Sequence, residues 1–334
     1  MRYLFLSASA VLMAACTPAD APVSTPENGE ASGTLVVGNK GENTVSFIDL
    51  ATGEELARRD TGPMPHEIAL SPDGSQVAVV AYGGSSIDFY DAKTYARLDT
   101  LDISPNLAPH GLLWLDDGRL LATTERSKTL TMISAPGADG KRTATGISSD
   151  TEGHMVAVTP DYGYAYTADL SSGNIAMIDL NAGKLVKSVP AGPGAEGIAV
   201  TNDGTEIWAT ARETNLAYVY DAKTMEKLAE VPIGTFPLRI IPSPDGRYMV
   251  TSNLMGGNLS VIDIAARKAV RTIPVTENAD DQQVTILFSR DGKRIYAALT
   301  GPDKVAEIDF ESGKVIRMIE AGDDGDGLAI IPAG

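Results

Sequence analysis

The sequence predicts an all-β fold, a seven-bladed β-propeller with four-stranded blades, and three observations lead to this fold class. A strand that runs into an aspartate–glycine turn recurs along the chain. Short runs rich in β-branched residues fill each interval between these turns. The last residues supply the one strand that the first folded residues lack. A repeat of four strands that closes on itself is typical of a propeller.

The recurring turn gives the length of the repeat. Two examples of the strand and its turn are PHEIALSPDG (residues 65–74) and PHGLLWLDDG (residues 109–118). The turn aspartates lie 44, 44, 42, 42 and 46 residues apart, at Asp73, Asp117, Asp161, Asp203, Asp245 and Asp291. An interval of this length accommodates four short strands and their turns, so each repeat has the size of one propeller blade.

Each repeat follows the same order of strands. The turn leads into a second strand such as QVAVVA or EIWATA, and a third strand then ends in aspartate, as in SIDFYD and NIAMID. A short turn such as AKT or NAG comes before a fourth strand such as KLVKSV. Short β-branched runs separated by turn residues predict consecutive β-hairpins.

The two ends of the chain predict how the ring closes. GLAIIPAG (residues 327–334) matches the first strand of a repeat and then stops. The segment that begins at Gly33, GTLVVGNKGENTVSFIDLATGEELARR, matches the remaining three strands. We therefore expect six blades within the chain and a seventh that is closed by the N- and C-terminal strands. Hydrogen bonds between these strands would leave no free sheet edge at the closure.

Three tetrapeptides at the ends of second strands carry a family resemblance. They are VVGN (residues 36–39), YTAD (residues 166–169) and VTSN (residues 250–253). With these tetrapeptides the chain resembles the YVTN-repeat β-propellers, a group related to haem-d1-binding propellers, over residues 33–334. The resemblance implies the fold, whereas related propellers serve as enzymes, cofactor carriers and scaffolds.

The N-terminus is predicted to direct export. The segment MRYLFLSASAVLMAAC has a basic Arg2, an apolar run too short to span a bilayer, and small residues before Cys16. It resembles a bacterial lipoprotein signal, which implies cleavage of residues 1–15 and acylation of Cys16. Residues 16–32 would then be a flexible tether. The expected location is the cell envelope, lipid-anchored in the outer membrane and facing the periplasm. The alternative is a plain secretory signal with an incidental cysteine.

Charge and cysteine content exclude several kinds of partner. The net charge is −17, which disfavours nucleic acids and favours cationic ligands, basic proteins and metal ions. The chain has one cysteine, so neither a disulfide framework nor a cysteine-based zinc site is expected. Contact with the membrane is expected through the lipid anchor alone.

The candidate site comes from aligning the repeats on their turn aspartates. One position near the start of strand one, which we call the mouth position, is expected to face one end of the central channel. It holds all three histidines of the chain and four other residues: His66, His110, His154, Glu196, Leu238, Val284 and Asp326. The end of strand two returns to the same end and holds Asn39, Ala81, Glu125, Asp169, Ala211, Asn253 and Leu299, with Arg126 and Arg212 one residue further on.

This pattern predicts a metal or ligand site. Neutral imidazoles and carboxylates bind zinc, copper or manganese, and carboxylates also bind calcium. The candidate ligands are His66, His110, His154, Glu125, Asp169 and Glu196, and the candidate rim contacts are Arg126, Arg212, Asn39, Asn253 and Asp326. Two histidines and one carboxylate would suffice for one ion. The histidines could instead be inherited loop residues or a proton-responsive cluster.

Three functions remain open from the sequence. The first is a monomeric envelope propeller whose acidic, histidine-lined mouth binds a metal, a cofactor, a small molecule or a partner protein. The second is a metal-assisted hydrolase or lyase in the same mouth. Here Pro-His at His66 and His110 is similar to the catalytic slot of streptogramin-lyase-like propellers, and the acids are similar to those of lactonase-type propellers. The third is a passive protein-interaction scaffold.

Overall fold

A computed structural model of the protein describes residues 31–149 and 152–333. The predicted signal peptide (residues 1–15), Cys16 and all but the end of the predicted tether (residues 16–32) lie outside the described residues. In the described part of the chain, no helix has the length and apolar character needed to cross a membrane.

The described chain forms seven four-stranded antiparallel sheets, which confirms the predicted seven-bladed propeller. We number the blades from the first one that is formed by consecutive strands. Blade 1 consists of β4 (Pro65–Leu70), β5 (Gln76–Ala81), β6 (Ser86–Asp91) and β7 (Arg97–Asp102). Blade 2 consists of β8 (Pro109–Trp114), β9 (Leu120–Thr124), β10 (Thr129–Ile133) and β11 (Ala144–Ser148). Blade 3 consists of β12 (Gly153–Val158), β13 (Tyr164–Asp169), β14 (Asn174–Asp179) and β15 (Lys184–Pro190).

The remaining blades follow the same order, and the last one uses both ends of the chain. Blade 4 consists of β16 (Ala195–Val200), β17 (Glu206–Ala211), β18 (Leu216–Asp221) and β19 (Lys227–Pro232). Blade 5 consists of β20 (Pro237–Pro242), β21 (Tyr248–Asn253), β22 (Asn258–Asp263) and β23 (Lys268–Pro274). Blade 6 consists of β24 (Gln283–Phe288), β25 (Arg294–Leu299), β26 (Lys304–Asp309) and β27 (Lys314–Glu320). Blade 7 consists of β28 (Gly325–Ile331), β1 (Thr34–Asn39), β2 (Thr44–Asp49) and β3 (Glu55–Asp60). Two short 3-10 helices, Glu125–Ser127 and Ala279–Asp281, lie in loops.

The closure of the ring is the one that the sequence predicts. The C-terminal strand β28 pairs antiparallel with β1, and the register runs from Thr34 opposite Ile331 to Val37 opposite Leu328. Leu328 and Ala329 are buried in this pairing. Since β28 is the innermost strand of its blade, it also places Asp326 at the channel.

The hydrophobic core lies between the faces of neighbouring blades. One cluster joins Val36 and Phe47 of blade 7 to Val77 and Tyr90 of blade 1. The alternating side chains of each strand therefore pack against the blade before and the blade after it. The fourth strands lie at the circumference and have mainly exposed or half-buried residues, as in β7 and β19. The core is thus a ring of inter-blade layers around a channel that the innermost strands line.

Candidate functional site

A β-bulge near the start of each innermost strand builds the site. In β4, Pro65 pairs with Ala81 and Ile68 pairs with Val79, so β4 holds one extra residue between these pairs. Comparable register shifts occur in all seven innermost strands. A bulge re-aims side chains that would otherwise alternate between the two faces of a strand. Two consecutive residues of β4, His66 and Glu67, therefore both contribute to the channel.

The mouth positions surround one cavity, as the alignment of the repeats predicts. The cavity has a volume of ≈ 250 Å³. All seven mouth-position residues line it together with five others, and the twelve are Lys40, His66, Tyr82, His110, Glu125, His154, Leu170, Glu196, Leu238, Arg239, Val284 and Asp326. Side chains far apart in the sequence thus meet at one end of the channel.

The three imidazoles form a row of closely spaced, mutually tilted rings along one side of the cavity. The ring centroids of His66 and His110 are 4.1 Å apart with planes at 41°, and those of His110 and His154 are 3.7 Å apart with planes at 33°. The ring of Tyr82 meets His110 edge-on, with centroids 5.6 Å apart and planes at 89°. Consecutive blades supply the three rings, so His110 lies in the middle of the row.

At one end of the row, His154 lies between two carboxylates. Its Nδ1 is 2.6 Å from Oε1 of Glu125, and its Nε2 is 3.6 Å from Oε1 of Glu196. Tyr82 donates its hydroxyl to the other oxygen of Glu125 at 2.7 Å. Burial alone would lower the pKa of His154, but its interactions with Glu125 and Glu196 raise that pKa above the ordinary value. His154 is therefore the imidazole of the row that carries a proton most readily.

The other two imidazoles are held neutral. Burial, reinforced by the neighbouring charge of His154, lowers the pKa of His110 well below its ordinary value. Burial also lowers the pKa of His66 to about 4. Within residues 31–149 and 152–333, neither Nδ1 of His66 nor Nδ1 of His110 makes a hydrogen bond. Nδ1 of His66 lies 3.2 Å from Oδ2 of Asp326 but is not aligned for one.

Arg239 is a buried cation in the lining of the cavity. This side chain belongs to β20 and follows the mouth position of its blade. Its Nη2 donates to Oε1 of Glu67 at 2.7 Å, and its Nη1 lies 3.4 Å from Oε1 of Glu196. Burial raises the pKa of Glu67, an effect that Arg239 opposes. The ion pair between Arg239 and Glu67 joins blade 5 to blade 1.

The predicted site residues do not all reach this cavity. The structure brings together His66, His110, His154, Glu125, Glu196 and Asp326. The hairpin amides Asn39 and Asn253 are buried and donate to third-strand side chains: Nδ2 of Asn39 to Ser46 and Nδ2 of Asn253 to Ser260. The last residue of the YVTN-like tetrapeptide thus fastens the second strand to the third.

Three further predicted residues also lie outside the cavity lining. Asp169 ends β13 and accepts hydrogen bonds from Ser171 and the backbone of Ser172. Arg126 is exposed in a 3-10 helix. Arg212 acts from behind the lining, with its Nη1 3.1 Å from Oε2 of Glu196.

Glu125 reaches the cavity because its blade has a shorter turn. In β9 the last residue is Thr124, which pairs with Pro109 as Ala81 pairs with Pro65 in blade 1. The alignment on turn aspartates assigns Glu125 to the end of strand two, whereas the structure places it one residue beyond that end. Lys40, Tyr82 and Leu170 occupy the same position in their blades and also line the cavity.

The sequence reasoning missed five residues of the site: Lys40, Tyr82, Leu170, Glu67 and Arg239. Lys40 and Tyr82 follow the ends of second strands, a position that the repeat alignment defines once the shorter turn of blade 2 is allowed for. Glu67 and Arg239 directly follow mouth positions. Strict alternation of a strand would turn them away from the channel, and the bulge that turns them inward leaves no clear mark in the sequence.

Among the described residues, two overlapping sets of side chains have the donors that a metal ion needs. One set is His66, Glu67 and His110, and the other is His110, Glu125 and His154. In each set the ligand atoms lie within 4.8 Å of one another. His110 belongs to both sets, so it is the residue on which metal binding would depend most.

Comparison with known proteins supports the fold and leaves the activity open. No protein-family model matches the chain. Protein NirF of Pseudomonas aeruginosa is 26% identical over 182 residues, which cover 51% of this chain and 44% of NirF. The chain therefore matches less than half of the length of this relative.

Solved structures share the architecture at low sequence identity. Dihydro-haem d1 dehydrogenase NirN in complex with DHE has a TM-score of 0.66 and 16% identity, covering 90% of this chain and 75% of NirN. A functionally unknown protein from Desulfotomaculum acetoxidans has a TM-score of 0.75 and 15% identity, covering 90% of this chain and 99% of that protein. Similarity at this level establishes the fold, and the chain is a seven-bladed β-propeller.

Proposed function

We propose that this protein is a binding propeller of the cell envelope whose channel mouth holds a divalent transition-metal ion on the histidine row. One observation carries the proposal: the imidazoles of His66 and His110 are both held neutral, and in the described chain both have an Nδ1 without a hydrogen bond. Neutral imidazole nitrogens are the usual protein ligands of zinc and copper.

The donor set favours zinc or copper over calcium. Calcium prefers six to eight oxygen ligands, whereas each set here combines two imidazoles with one carboxylate. A tetrahedral ion with bonds of about 2.1 Å holds its ligand atoms about 3.4 Å from one another. The ligand atoms of each set lie within 4.8 Å of one another, so metal binding would draw them together by about 1.4 Å at most.

Metal binding would disturb a different existing interaction in each of the two donor sets. Glu67 in the first set is already paired with Arg239, and His154 in the second set is hydrogen-bonded to Glu125. Binding to the second set would displace the proton that His154 takes up readily, so affinity there would fall as the pH decreases. His110 is required in both cases.

A haem-d1-type ligand would have to lie over the open end of this cavity rather than within it. Sites for drug-sized ligands have volumes of about 300–1,000 Å³. The cavity here has a volume of ≈ 250 Å³. An ion with a small co-ligand matches the available space better than a macrocycle.

Metal analysis tests the proposal. The full chain, expressed without a polyhistidine tag, would be dialysed against zinc, copper, manganese or calcium and analysed by mass spectrometry for bound metal. We expect about one equivalent of zinc or copper, which is lost in both His110→Ala and His110→Asn. Arg126→Ala changes an exposed residue outside the cavity lining and should retain the metal. Metal content that is absent, or unchanged in both His110 variants, would overturn the proposal.

We also propose that Cys16 anchors the protein to the outer membrane by acylation. The support is the lipoprotein-like segment that ends at this cysteine. Radiolabelled palmitate should label the wild-type chain and should not label Cys16→Ser, and the variant should move from the membrane fraction to the soluble periplasmic fraction. Labelling of Cys16→Ser to the wild-type level would contradict the proposal.

A further inference from the structure

Arg239 has a hydrogen-bond donor that the described protein does not use. The side chain is 7% exposed, and its two terminal nitrogens face Glu67 and Glu196. Its Nε is buried and has no partner among the described residues, although the side chain lines the cavity. A buried N–H without an acceptor costs about 1–3 kcal/mol, so such a group usually has a partner outside the polypeptide.

The carboxylates that line the cavity are already engaged. Asp326 accepts hydrogen bonds from Lys40 at 2.9 Å and from Thr285 at 2.7 Å. Glu125 is hydrogen-bonded to Tyr82, and it contacts His154 on its other oxygen. The negative charges at the cavity are therefore matched by neighbouring cations and donors.

The third carboxylate, Glu196, is engaged in the same way, by Arg212 at 3.1 Å and by Arg239 at 3.4 Å. Among the cavity-lining residues, the buried side-chain atoms that lack a hydrogen bond within the described chain are all nitrogens: Nδ1 of His66, Nδ1 of His110 and Nε of Arg239. The Arg239 Nε–H is always a donor, so it is complementary to a ligand that brings an oxygen acceptor. The Nδ1 of a neutral imidazole donates only in the tautomer that carries the proton on that atom.

A guanidinium donor favours an ionised acceptor over a neutral one. A hydrogen bond with an ionised partner is about twice as strong as one between neutral groups, and a guanidinium that binds a carboxylate or phosphate has both partners ionised. The volume of ≈ 250 Å³ limits the ligand to a small molecule.

We infer that the cavity binds a small oxyanion, of the carboxylate or phosphate class, with Nε of Arg239 as its buried hydrogen-bond donor. The inference deepens the proposed binding function and rests on the same cavity, but it does not require the metal. A metal ion on the histidine row would add positive charge beside the anion and strengthen its binding. By thermodynamic reciprocity the anion would strengthen metal binding by the same factor.

Nuclear magnetic resonance of the arginine side chain tests this inference directly. The metal-free, ¹⁵N-labelled full chain would be titrated with sodium acetate and with inorganic phosphate, at constant ionic strength set with sodium chloride. We expect a saturable shift of the Arg239 Nε–H signal, which is identified by its absence in Arg239→Lys. The acetate and phosphate titrations distinguish the two ligand classes.

Two variants distinguish the role of the Arg239 Nε–H donor from that of the positive charge of Arg239. Arg239→Lys keeps a cation near Glu67 and Glu196 but removes the Nε–H group, and we expect it to weaken anion binding at least about tenfold. Arg212→Lys is the matched control, because Arg212 also pairs with Glu196 yet does not line the cavity. It should bind the anion as the wild type does.

A second readout covers the case in which Arg239→Lys folds poorly. Acetate or phosphate should raise the melting temperature of the wild type and of Arg212→Lys above the value in matched chloride. No saturable shift of Arg239 with either anion, or equal weakening in both lysine variants, would overturn the inference. Anion binding without any metal binding would refute the metal proposal alone, whereas metal binding without an anion would refute this inference alone.

Discussion

The imidazole rings of His110 and His154 lie in close, tilted contact across the boundary between blades 2 and 3, with centroids 3.7 Å apart and planes inclined by 33°. Two protonated rings at this distance would repel each other strongly inside a buried site. His154 has carboxylate neighbours on both ring nitrogens, whereas His110 has Nδ1 unpaired in the described chain. The row therefore takes up its first proton at His154.

The three histidines of the metal-free protein should titrate separately. We expect the pKa of His154 to lie above its ordinary value, that of His66 to be about 4, and that of His110 to lie well below 6.5. Since the chain has three histidines, ¹⁵N-correlated imidazole spectra of the untagged protein in a chelating buffer can resolve each one. Titration of His110 near pH 6.5 would contradict the buried position of His110 between the other two imidazoles.

The lowered pKa of His66 should make stability depend on pH in a predictable direction. Because its folded pKa is about 4 against an ordinary 6.5, the unfolded chain binds the proton first as the pH falls. Stability from this residue is therefore complete above pH 6.5 and decreases by about 3 kcal/mol as the pH falls to about 4.

The variant His66→Gln isolates this effect. It removes the titrating group, so its free energy of unfolding relative to the wild type should improve by about 3 kcal/mol between pH 7 and pH 4. Urea denaturation at both pH values measures the change. A difference between the two proteins that stays constant with pH would show that His66 does not titrate as described.

The sequence predicts the fold well because each blade is specified locally. The aspartate–glycine turns, the β-branched runs and the single strand left at residues 327–334 are visible one segment at a time. The histidine row follows from the same repeat, since a shared position in the repeat becomes a shared position around the axis. A pattern within one strand predicts the position of its side chains in the fold, because the register of strand pairing fixes the face on which each side chain lies.

The remainder of the site depends on features that the repeat does not encode. The extra residue between Pro65 and Ile68 turns Glu67 toward the channel, although strict alternation predicts the opposite face. The partner of Glu67 is Arg239, four blades away, and the two meet only because the ring closes. A single sequence gives no signal for a pairing that spans 172 residues.

The ion pair between Arg239 and Glu67 should be costly to break from one side. Arg239→Met leaves Glu67 buried without its cation and leaves Glu196 with Arg212 but without Arg239, and we expect a loss of about 3–5 kcal/mol in the free energy of unfolding. Glu67→Gln combined with Arg239→Met should recover part of this loss, because one of the uncompensated charges is then gone. Denaturant melts of the two single variants and the double variant measure the coupling. Strictly additive effects would contradict a direct ion pair.

The closure of the ring should depend on Gly327, because the inner strands of blades 7 and 1 approach closely there. A Cβ atom at this position would lie 1.9 Å from the carbonyl oxygen of His66 and 2.8 Å from its carbonyl carbon. Gly327→Ala must therefore push β28 away from β4, and we expect a destabilisation of about 1–3 kcal/mol together with displaced His66 imidazole signals. Gly84→Ala is the matched control, because the nearest atom to its Cβ would lie at an ordinary 3.6 Å. Equal melting temperatures for the two alanine variants would contradict this close approach, since backbone atoms of β4, unlike a flexible side chain, cannot yield without moving the whole strand.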